Sequence, residues 1–209
     1  MREQKERQTD MDFSISEFYW INKPEACKAD SREIVITTEP ETDFWQRTYY
    51  GFSHDTAHAF VMPAAFDFTF SVKAQCDYKK TYDQCGLLIY QNSSSWFKAS
   101  LEFENSTYQR LGSVVTNNGY SDWATSDISS EIRTMYYRLS RRGADFRIEN
   151  SIDGVTFRQM RIFHLFEGKG EVKFGVYACS PLRSSFDAVF TEMKISECQW
   201  EQYTNPDSI

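Results

Sequence analysis

Apolar and polar positions alternate along much of this chain. Phe66, Phe68, Phe70, Val72 and Ala74 are separated by Asp67, Thr69, Ser71 and Lys73. A period of two predicts a strand with one face in a core and the other in water. The pattern returns where Phe97, Ala99, Leu101 and Phe103 alternate with Trp96, Lys98, Ser100, Glu102 and Glu104. It returns again at Phe146 and Ile148, and at Val172, Phe174, Val176 and Ala178. Shorter runs near 33–38, 44–50, 84–91, 109–116, 134–141, 156–162 and 186–196 extend the set. Turn-forming clusters separate them at Gln91–Ser95, Glu104–Thr107, Asn117–Ser121, Arg141–Gly143 and Glu167–Gly170, and Asp153-Gly154 is a hairpin signal. Only around Ser53–His58 or Ser126–Glu131 does a short helix or turn fit.

Many strands with no helical period between them predict an all-β fold, an antiparallel two-sheet β-sandwich. The expected core is Phe68, Phe70, Phe97, Leu101, Phe103, Val114, Phe146, Ile148, Phe174 and Val176. Residues 1–12 read as a flexible N-terminal arm, 13–200 as one domain and 201–209 as a C-terminal tail.

Composition adds a large aromatic supply. Five Trp, twelve Tyr and seventeen Phe make up 16% of the 209 residues, enough apolar surface for a core without metal or disulfide staples. The net charge of −7 argues against general nucleic-acid binding. No apolar run approaches the roughly 18 residues of a membrane span, and Met1–Asp12 lacks the apolar stretch of about 7–15 residues found in a secretory signal. Five cysteines, Cys27, Cys76, Cys85, Cys179 and Cys198, are odd in number and widely spaced. Cys76 and Cys85 could face each other across a hairpin, but five reduced thiols in a cytoplasmic protein are expected.

Several ordered motifs carry a resemblance. They are Asp43-Phe44-Trp45, the run Gln84 to Gln91, and Trp96-Phe97-Lys98-Ala99 followed by Glu102, then Ser113 to Thr116 and Ser121-Asp122-Trp123. Arg138 to Gly143, Ser151-x-Asp153-Gly154 and Gly175 to Pro181 complete the series. Over about residues 15–197 the chain resembles a family of unknown function that includes the YesU-type bacterial proteins and a yeast protein named for regulation of enolase. The resemblance implies a concanavalin A-like jelly roll with a concave face, and it brings no established catalytic residues. Cys85 and Phe157 depart from the family pattern, which more often has Ala and Trp there.

The strand from Trp96 to Glu104 carries the candidate chemistry. Its polar face presents an indole, an amine, a hydroxyl and two carboxylates, all on one side. Sugar sites pair an apolar ring platform with groups that bond hydroxyls. Trp45, Gln84, Tyr90, Trp96, Lys98, Glu102, Trp123, Arg138 and Tyr177 are therefore expected to line one concave pocket for a saccharide or polyol. Glu102 and Glu104 invite an alternative reading as a hydrolase or lyase, because alternate strand positions lie about 6.5–7 Å apart. Glucanases of the fold that the resemblance implies usually carry three acids in a Glu-x-Asp-x-Glu run; here position 100 is Ser, so the motif is partial. A third reading is a regulatory module whose surface binds another protein or a second copy of itself.

The histidines offer less. His54 and His58 have the spacing of helical metal ligands without a third ligand, and His164 stands alone. The Ser140-Arg141-Arg142-Gly143 turn could hold an anion or merely solubilise a hairpin tip. No metal or cofactor is expected.

Overall fold

The structure, a computed structural model, describes residues 10–11 and 14–204. In chain order its strands are β1 Asp10–Met11, β2 Tyr19–Ile21, β3 Cys27–Ala29, β4 Glu33–Thr37, β5 Phe44–Gln46 and β6 Ser53–Asp55. There follow β7 His58–Ala64, β8 Thr69–Cys76, β9 Gln84–Asn92, β10 Ser95–Phe103, β11 Tyr108–Asn117 and β12 Tyr120–Ser129. The last five are β13 Thr134–Arg142, β14 Asp145–Ser151, β15 Arg158–His164, β16 Val172–Cys179 and β17 Asp187–Ser196. One sheet runs β15-β14-β13-β8-β17-β4-β3, with β1 also paired to β17. The other runs β12-β11-β10-β9-β16-β7-β2, and β5 with β6 forms a separate small ribbon. Every strand pair is antiparallel, as the alternation predicts for a two-sheet sandwich.

Asp10 and Met11, expected within the arm, pair with Ser196 and Ile195. Residues 1–9 and 12 of the arm and 205–209 of the tail lie outside the described residues. Among the described residues no helix is long and apolar enough to cross a membrane.

The core between the sheets is built from the predicted parity. Phe68 stacks on Phe174 at 4.0 Å between ring centres, and Phe97 on Phe163 at 3.9 Å. Phe70, Leu101, Phe146, Ile148 and Val176 fill the same cluster. Phe103 packs only at its margin, half-buried. Val114 is a correction. It is buried, but on the opposite face of its strand, because β11 pairs Val115 with core-facing Phe97 and Val114 with outward Lys98.

Two regions expected to turn or coil are strands. Residues 126–129 belong to β12, an edge strand whose side chains are mostly exposed and so give no alternating signal. Its turn, Asn118-Gly119, takes positive φ at both residues (53° and 73°), the geometry of a tight two-residue hairpin. In Ser53–His58, residues 53–55 form β6 and His58 opens β7, a strand apolar on both faces because each face is covered.

The five-thiol expectation also fails. Cys76 on β8 and Cys85 on β9 are joined in a disulfide that crosses from one sheet to the other inside the core. Cys27, Cys179 and Cys198 are free. Bridges of this kind are rare in reducing compartments, which sets the pair against the cytoplasmic expectation. Arg141 is no anion site either. It is buried, and its guanidinium donates to five backbone carbonyls, those of Gly143, Ala64, Phe66, Gly168 and Gly170. It closes the end of the sandwich.

A candidate ligand cleft on the outer face of the seven-stranded sheet

The side chains that point away from the core on β9, β10, β11 and β16 meet a second apolar cluster instead of open water. The segment from Phe44 to Ala57, which includes the β5–β6 ribbon, folds over them, and Phe44, Trp45, Ala57, Leu88, Trp96, Val114 and Tyr177 pack together there. Asp43 pins this cover down. Its carbonyl accepts from Thr56 N at 2.9 Å and Ala57 N at 3.1 Å, and its Oδ1 accepts from Lys98 Nζ at 3.0 Å. Beside the cover lies a cleft of about 400 Å³, a size suited to a small ligand.

Strand register sets its floor. Glu102 stands between Gln84 on β9 and Arg110 on β11, and Lys98 stands between Leu88 and Val114. Gln84 Nε2 donates to Glu102 Oε2 at 2.8 Å, and Tyr177 donates its phenol to Gln84 Oε1 at 3.0 Å. Glu104 accepts from Arg110 Nε. Trp123, directly across from Val114, forms a wall. It lies against Gly112, where a Cβ would come within 3.0 Å of the indole nitrogen. Trp45 stands edge-on to Trp123 at 6.2 Å and 84°, and Tyr50, Phe52 and Tyr82 complete the rim.

Charge is concentrated here. Burial pulls the Lys98 ammonium down, and Asp43, Cys179 and Glu102 more than offset it, so it stays above the ordinary lysine value. Burial raises the Glu102 carboxyl, Lys98 and Arg110 oppose the rise, and the carboxylates of Asp43 and Glu104 add to it. The balance pushes Glu102 up to about 7, so at neutral pH it can give or accept a proton in a hydrogen bond. Lys98 has one recorded hydrogen-bond partner, Asp43, out of three donors.

Of the nine expected ligand residues, Trp45, Gln84, Lys98, Glu102 and Trp123 line this cleft, and so does Glu104. Tyr177 lies beneath it, holding Gln84. Tyr90 is turned away to donate to Asp55 at 2.8 Å. Trp96 is a correction: it has the right parity but is fully buried, packed on Phe44 with ring centres 5.7 Å apart. Arg138 is another. It lies on β13 of the other sheet, bound twice to Glu149 at 2.8 and 3.0 Å and stacked over Phe157 at 4.2 Å.

Asp43 and Arg110 were not among the expected site residues. Arg110 was recoverable, since folding the chain at the predicted Glu104–Thr107 turn sets it opposite Glu102. Asp43 carried no such signal, because its contact with Lys98 spans 55 residues.

The three histidines lie apart from one another, each with its own neighbours. His58 is buried in β7, where Nε2 accepts from Glu39 N at 3.1 Å and Nδ1 donates to Asn22 O at 2.6 Å. His54 sits on separate β6, so the helical spacing has no meaning here. His164 is exposed and bonds Asp145 at 2.6 Å. Among the described residues no three potential metal ligands gather.

Comparison with known proteins places this architecture. A family described as a protein of unknown function, DUF1349, matches residues 20–198. The chain belongs to this family. It is 30% identical over 182 residues to "Regulation of enolase protein 1" of Saccharomyces cerevisiae, covering 87% of this chain and 90% of that one. The crystal structure of a functionally unknown protein from Saccharomyces cerevisiae superposes with a TM-score of 0.83 and 29% identity, over 90% of this chain and all of that one. A GH43 protein, BlXynB from Bacillus licheniformis, gives a TM-score of 0.69 at 12% identity over 90% of this chain. The match spans only 38% of BlXynB, so it is a likeness of fold to one part of that protein.

Proposed function

We propose that the cleft binds a saccharide or similar polyol without transforming it. One observation carries the reading. Lys98 and Glu102, which have capacity left to bond hydroxyls, and Gln84, which holds Glu102, lie together beneath the aromatic walls of Trp45 and Trp123. A pyranose ring needs that pairing of a flat apolar face with a ring of donors and acceptors. Hydrolysis by Glu102 with Glu104 is less well supported, because Glu104 is held by Arg110 and is not a free second carboxylate. The name of the yeast relative supports a regulatory setting in which occupancy of the cleft is the signal, with protein contact as its output.

Glycan-array screening followed by calorimetry tests the reading. Trp123→Ala should weaken binding of whichever glycan is found by about 1–3 kcal/mol. Its melting temperature should fall only modestly, because Trp123 lies on an edge strand and is 37% exposed. A broad panel with no ligand sensitive to Trp123 or Lys98 would sink the proposal.

A further inference from the structure

A second hollow of about 570 Å³ adjoins the cleft. It shares Trp45, Tyr50 and Trp123 with the cleft and continues outward between Tyr49 and Tyr120. Tyr49 is 93% exposed and Tyr120 60%, a large apolar surface to leave in water beside a cavity. The backbone that carries Tyr49 is fixed, and Tyr120 has a cation over its ring. Arg47, Tyr49 and Gly51 take positive φ (56°, 62° and 75°) in the turn that presents Tyr49. Trp45 Nε1 donates to the carbonyl of Thr48 at 3.1 Å within that turn, and Arg47 sits over the Tyr120 ring at 5.5 Å.

The shape and charge of this hollow choose its occupant. Successive rings stand nearly at right angles: Trp45 to Trp123 at 84°, Trp45 to Tyr50 at 66°, and Tyr49 to Tyr50 at 81°. Such rings form a stepped aromatic surface on which flat rings can stack one after another. Asp122, the acid in the hollow, is bound to Arg161 at 2.6 Å. The one charged side chain in the lining is thus paired, and a cation beside it, Arg47, lies over the Tyr120 ring. Neutral rings with hydroxyl edges suit a lining of phenols and indoles.

We infer that the hollow is a second sugar subsite, so that the ligand is a neutral oligosaccharide of at least two rings lying from Lys98 out to Tyr49 and Tyr120. This rests on the saccharide reading of the cleft. Titration of tryptophan fluorescence in the full chain, with β-1,4-linked xylose, glucose and mannose from monomer to hexamer, tests it. Affinity should rise roughly tenfold as a second and third ring are added, the gain from one more stacked ring. Tyr49→Ala combined with Tyr120→Ala should remove that rise and leave monosaccharide affinity within about twofold of the unmodified protein.

Affinity that is independent of length but lost in Lys98→Met would overturn the second subsite and spare the cleft. No binding of any member would overturn both. A dimer in sedimentation that the double tyrosine variant abolishes would also overturn the inference, making the aromatic track a contact between two copies.

Discussion

The molecule has two apolar clusters, one on each face of the seven-stranded sheet, and they are built differently. Between the sheets, Phe68, Phe70, Phe97 and Phe174 come from alternating strands that face each other. On the outer face, Trp96, Leu88, Val114 and Tyr177 come from strands of the seven-stranded sheet at the opposite parity, and the separate β5–β6 ribbon, through Phe44 and Trp45, covers them. The first cluster is closed by the second sheet. The second is closed only part of the way across, and the cleft begins where the cover stops. A sheet face becomes a site when its lid is shorter than the sheet.

The sharpest test of that difference is deletion of an aromatic ring. Phe174 is stacked on Phe68 and packed edge-on to Phe70 at 5.2 Å between the sheets. Phe174→Ala should lower stability by about 3–5 kcal/mol in urea denaturation, because neither sheet can collapse into the gap. Near-neutral behaviour would mean that the space between the sheets is loosely filled.

The disulfide is the next largest difference, since it staples the first cluster and nothing comparable is recorded in the second. Cys76 and Cys85 are nine residues apart in sequence, a loop whose closure stabilises by roughly 2.5–3 kcal/mol through the unfolded chain. Alkylation of denatured, unreduced protein should modify only Cys27, Cys179 and Cys198. Reduction should lower the urea midpoint. Five modified cysteines without reduction would show the bridge to be open.

The inter-sheet cluster was legible in the sequence because alternation reports which side chains share a face. It does not report what lies over that face. Trp96 illustrates the gap: its parity matched Lys98 and Glu102, yet Phe44 covers it and Trp123, from an edge strand with no apolar period, supplies the exposed ring. Arg138 was misplaced because local sequence does not say which of two sheets a strand joins. Arg141 looked like a solvated tip residue, and only the convergence of two distant segments, 64–66 and 168–170, on its guanidinium reveals a structural role. Asp43 was visible as part of a motif but not as a partner of Lys98, since cover segments follow no register.

The smallest effect concerns protons. Glu102 sits where the cover ends, half-buried beside Asp43 and Glu104, and its carboxyl is pushed up to about 7 from an ordinary 4.5. A folded-state pKa raised above the unfolded value means that the folded chain binds the proton more tightly. Stability should therefore fall as pH rises from about 4.5 to about 7, and level off above that. Glu102→Gln keeps an oxygen to accept from Gln84 and removes the titration. Discounted for the open side of the cleft, the variant should be more stable than the unmodified protein by on the order of 2 kcal/mol at pH 8, and nearly equal to it at pH 4.5. Urea denaturation of both proteins across that range gives the comparison directly. A difference that does not change with pH would show Glu102 to be solvated as an ordinary surface carboxylate, and the outer cluster would then end short of it. A difference that opens between the two pH values places the boundary between dry cover and wet cleft at the Glu102 side chain.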